Sequence, residues 1–97
     1  MEPRISYWTT IAMWCRELAR DHCDVPGIAA EMSSLLKLSE ALMDSPSLSG
    51  VERVSGSLQQ LYEKLLSRYA RFPENRIYER LYLRVENLID VYLKELE

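Results

Sequence analysis

Apolar residues recur every three to four positions along most of this chain, and the rhythm breaks at four places, each beside a proline: Pro3, Pro26, Pro46 and Pro73. That period is the mark of an amphipathic helix. Proline is tolerated in a helix's first turn, where its missing N–H would have no partner, and is costly further in. The pattern therefore predicts four helices with the prolines at their starts.

The first predicted helix runs from about Arg4 to Asp21. At 100° per residue, Ile5, Trp8, Ala12, Cys15 and Ala19 share one face, and Tyr7, Ile11, Trp14 and Leu18 form a second beside it. Together they cover about half the circumference, wider than the usual stripe of a surface helix. The second helix is expected over Val25 to Met43, with Asp24 as N-cap and Pro26 and Gly27 in its first turn. The third could begin at Ser49 or Ser57, since both open a capping box. Apolar positions from Leu48 to Phe72 keep one phase throughout, which favours a single helix from about Ser49 to Arg71. Ser55–Gly56–Ser57 would then permit a close helix crossing.

The fourth helix starts at Glu74 or Asn75 and carries a broad apolar face from Ile77 to Leu96. Its charges sort to two edges: Arg76, Arg80, Arg84 and Lys94 on one side, Glu79, Glu86 and Asp90 on the other. Flanking positions of a helix–helix seam look like this. Short connections favour antiparallel neighbours. The expected fold is all-α, a single domain over residues 1–97 forming an antiparallel up-down four-helix bundle. The alternative is a pair of helical hairpins that associate or exchange as a dimer.

Composition narrows the function. Of 97 residues, 47% are apolar and 28% charged, enough for one packed core. A net charge of −3 argues against a general nucleic-acid binder. The longest run free of charge and proline, Ile5 to Cys15, has 11 residues, too short to span a bilayer. It continues in phase into Arg16–Glu17–Leu18 with no small-residue cleavage site, so it reads as mature, cytoplasmic protein without a membrane partner. Cys15 and Cys23 are eight positions apart, about 12 Å of helical rise, too far for a disulfide. Neither a metal site, a cofactor loop nor a catalytic Ser/His/Asp set is expected.

Arg16-Glu-Leu-Ala-Arg-Asp-His22 resembles the RX4–6H motif of HEPN-domain ribonucleases, helical proteins that typically act as dimers and cleave RNA without metal. The resemblance covers seven residues and implies that Arg16 stabilises phosphorane charge while His22 serves as general acid and base. In that family the motif usually lies near the domain's end; here it is near the start, and Glu17 places an acid beside the arginine. The reading preferred from the residues puts Arg16 on the solvated face and His22 in the turn.

Two surface features remain. Cations four apart on a helix repel, so the stripe Arg76, Arg80 and Arg84, with Arg68 and Arg71 before it, asks for a partner. That partner is either carboxylates, or phosphates with Tyr78 or Tyr82 stacking on bases. Tyr7, Ile11, Trp14 and Leu18 are candidates for an apolar docking face, since Trp and Tyr are frequent binding anchors. A compact bundle could instead bury that face. The leading expectation is a non-catalytic protein–protein interaction module, an adaptor, chaperone or complex subunit, engaging another protein or forming a homodimer. It would act through Tyr7, Ile11, Trp14 and Leu18 together with Arg76, Arg80 and Arg84. Nucleic-acid binding through the arginines is the alternative, and a HEPN-like ribonuclease a distant third.

Overall fold

The computed structural model describes the backbone of residues 3–96 and the side chains of residues 8–91. Its four helices are α1 (Pro3–Asp21), α2 (Ala29–Asp44), α3 (Leu48–Arg71) and α4 (Arg76–Leu96), and no strand occurs among the described residues. The chain is all-α, and its helices pack as a bundle.

The prolines mark the breaks, but only Pro3 lies inside a helix. Pro46 precedes the N-cap Ser47, whose extended backbone turns its Oγ to accept from the Gly50 N–H at 3.0 Å. Neither Ser49 nor Ser57 is the cap; both lie within α3. Pro73 falls in the next connection, where Asn75 Oδ1 accepts from the Ile77 N–H at 3.3 Å as α4 begins. Pro26 departs furthest from expectation. Gly27 has φ +88°, outside any right-handed helix, so α2 begins only at Ala29. Asp24 does not cap it. The Val25 N–H donates to His22 O and the Ile28 N–H to Val25 O, two successive turns that occupy the segment instead.

Gly56 makes no close crossing, because a Cβ there would meet nothing within 4 Å. The tight approach is at Gly50, where a Cβ would lie 3.0 Å from Leu42 Cδ1 on α2.

One core draws on every helix. Ile11, Cys15 and Leu18 of α1 meet Met32, Leu35 and Leu42 of α2, Val54, Leu58, Leu61 and Leu65 of α3, and Leu81, Val85 and Ile89 of α4. Each fully buried aliphatic side chain contributes about 1.5–3 kcal/mol, so this shared interior outweighs the caps in holding the helices together. α1 packs chiefly on α2, α3 on α4, and α2 on α3, while α1 and α4 meet less than these consecutive pairs do. The Cα envelope is 47 × 24 × 17 Å, flatter than a square bundle. Among the described residues, no helix is long and apolar enough to cross a membrane.

Candidate partner-binding surface

The wide apolar half of α1 is divided by the fold. Its buried stripe centres on Cys15, taking Ile11, Ala12, Leu18 and Ala19 with it. Ile11 at 0% and Leu18 at 1% exposure are therefore core residues, not the partner contacts expected of them. The cause is phase: both lie within about 60° of Cys15 on the helix wheel, whereas Trp14 lies about 100° away. Trp14 stays 45% exposed on the flank that faces α4. The side chain of Tyr7 lies outside the described residues.

On α4, Tyr78, Leu81, Val85 and Ile89 face the core. The acidic edge turns to α3: Tyr69 OH donates to Glu79 at 3.4 Å and Tyr62 OH to Glu86 at 3.1 Å. The ring of Tyr82 sits between them, 6.3 Å from Tyr62 and 5.5 Å from Tyr69. Its hydrogen bond to Glu86 raises the pKa of Tyr62, and the nearby negative charge of Glu79 raises that of Tyr69.

The basic edge faces outward. Arg76, Arg80 and Arg84 are exposed, with the 50% exposed Leu83 among them. Arg80 and Arg84 have no acidic residue three or four positions away on their own helix. Arg84 also lines, with Trp14, Asn87 and Leu88, an open cleft of about 230 Å³ in the α1/α4 seam. The fold thus joins one residue of each predicted set, Trp14 and Arg84, and leaves Arg76 and Arg80 nearer the start of α4. The aromatic partners expected for bases are engaged elsewhere: Tyr78 is buried, and Tyr82 lies against the α3 tyrosines.

The opposite arrangement holds near the α1–α2 connection. Arg68, expected on the basic stripe, is half-buried, its guanidinium 4.8 Å from the Phe72 ring centre and 5.3 Å from that of Tyr78. It donates to Tyr78 OH at 3.0 Å, and that hydroxyl donates to Pro26 O at 3.1 Å. A Cβ on Gly27 would come within 2.5 Å of the guanidinium, which would have to shift, and the positive φ favours glycine here. The Pro26–Gly27 dipeptide, a common turn signal, is the trace of this lock in the sequence. Arg71, by contrast, is exposed, with its guanidinium 5.8 Å from the Phe72 ring centre.

Of the ribonuclease-like pair, Arg16 lies within α1 and His22 in the turn just past its end. Arg16 is half-buried rather than solvated, with its Nε enclosed and unpartnered. His22 Nδ1 donates to Leu18 O at 3.0 Å, closing a carbonyl at the end of α1. Burial pushes the Cys15 thiol up to about 12, while Cys23 is exposed. No group of three His, Cys, Asp or Glu side chains gathers as metal ligands among the described residues.

No protein-family model matches this chain, and neither a curated protein nor a solved structure is significantly similar to it.

Proposed function

We propose that this protein is a non-catalytic protein–protein interaction module, an adaptor, chaperone or complex subunit of the cytoplasm, acting through the α1/α4 seam. The observation that carries this reading is Trp14: a large aromatic, 45% exposed, beside Leu88 and Arg84 in the α1/α4 seam, which is packed less closely than the seams between consecutive helices. Half-exposed tryptophan beside arginine is the composition of interface hot spots. Arg80 and Arg76 extend the surface along α4.

The arrangement behind it is an antiparallel up-down bundle. Two contacts support this for α3 and α4: Tyr62 meets Glu86 and Tyr69 meets Glu79, so seven residues forward on one helix is seven back on the other. Gly50 beside Leu42 and Arg68 beside Gly27 run the same way for α3 against α2 and its entry turn. A second copy of the chain is the other occupant this surface would suit, giving a homodimer. Nucleic acid is less well supported, because neither Tyr78 nor Tyr82 is free to stack beside the arginines.

The test is Trp14→Glu. The variant keeps its helical circular dichroism and loses its partner, read by affinity capture from the native cell and by solution mass. Loss of the fold itself would assign Trp14 to the core and remove the reading.

A further inference from the structure

We propose that the partner presents an acidic amphipathic helix, which lies along the α1/α4 seam with a bulky apolar side chain in the Trp14–Leu88 cleft and carboxylates against Arg84 and Arg80. This rests on the seam being the interaction surface and names the chemistry of what fills it.

Charge complementarity carries the choice. The chain is acidic overall, at −3, yet the outward face of α4 is cationic. On α4 itself the carboxylates are turned to the other flank, where Glu79 and Glu86 accept from Tyr69 and Tyr62. Arg80 and Arg84 thus repel one another without a compensating acid in helical reach, and an external carboxylate relieves both. A bidentate carboxylate suits arginine best.

Apolar groups decide between acids. Leu83 lies among the arginines and is 50% exposed, and Trp14 and Leu88 border the cleft. Phosphate backbone would leave Trp14 and Leu88 uncovered, whereas a helix with leucines three and four apart covers them while its flanks carry the acids.

The experiment uses the full chain and a 16-residue helical peptide with leucines at i, i+3, i+4 and i+7, glutamates flanking them and alanine elsewhere. A twin carries lysine for each glutamate. The glutamate peptide is expected to bind, with affinity falling as salt rises and at least about tenfold tighter than the lysine twin. Arg80→Glu with Arg84→Glu should weaken it about tenfold or more and invert the preference. Trp14→Ala should weaken both peptides. Equal binding of the two peptides, binding of neither, or arginine-dependent capture of a single-stranded RNA oligonucleotide that ignores Trp14→Ala would overturn the proposal. So would a homodimer that buries Trp14.

A photo-crosslinker placed at position 14 separates the two levels. Crosslinking to a cellular protein whose capture is unchanged by the double arginine reversal sinks the acidic helix and spares the interaction surface. Absence of any crosslink sinks both.

Discussion

The two places where the α1–α2 and α3–α4 pairs meet at the flanks of the core are built differently. Near the α1–α2 connection, Arg68, Tyr78, Pro26 and Gly27 interlock through two hydrogen bonds, a guanidinium over the Phe72 and Tyr78 rings and a positive-φ glycine against that guanidinium. Along the α1/α4 seam, Trp14 and Arg84 border an open cleft. The first junction spends its polar groups inside the fold, so it can order the chain but has little left to offer a partner. The second keeps an indole and a guanidinium at the surface, and those are the groups that association uses.

That contrast is breakable. The largest expected effect is at the lock: Gly27→Ala forces an unfavourable positive φ and displaces the Arg68 guanidinium, destabilising the protein by about 2–3 kcal/mol in urea unfolding. An effect below half a kcal/mol would mean the turn adapts and the junction is loose. Tyr78→Phe should cost about 1–2 kcal/mol, since it strips a partner from both Arg68 and the Pro26 carbonyl. Trp14→Glu, at the open seam, should change stability by about 0.5 kcal/mol or less while abolishing partner capture; a larger loss of stability would erase the distinction between the two junctions.

Smaller effects sharpen it. At pH 8 a thiol reagent should modify Cys23 at once and Cys15 at least about a thousandfold more slowly, because burial keeps the Cys15 thiol protonated and shielded. Fast labelling of Cys15 would show that α1 lifts readily from the core. The tyrosine ladder gives the mildest signature. Tyr62 and Tyr69 have pKa values raised above the ordinary 10.0, so the folded state favours their neutral hydroxyls. Their contribution is full below about pH 10, the unfolded value, and is lost as pH rises through the folded values. The double variant Tyr62→Phe, Tyr69→Phe should therefore lose stability less steeply above pH 10, as followed by thermal melts; identical pH profiles would discount the ladder.

Periodicity alone determined the number of helices, the unbroken run of α3 across Gly56, and the separation of basic and acidic edges on α4, because each depends on residues within a few turns of one another. It even placed Trp14 and Arg84 among the candidates. It could not say which part of α1's apolar half would be covered: Ile11 and Leu18 turned inward and Trp14 did not, a choice made by where α2 and α4 lie. Nor could it see that Arg68 would leave the basic stripe for a pocket of rings, or that Pro26–Gly27 would form a turn there rather than open α2. Those outcomes rest on contacts between residues up to 52 positions apart, Tyr78 to Pro26. Helical period is written locally, whereas burial is decided by the neighbours the folded chain supplies.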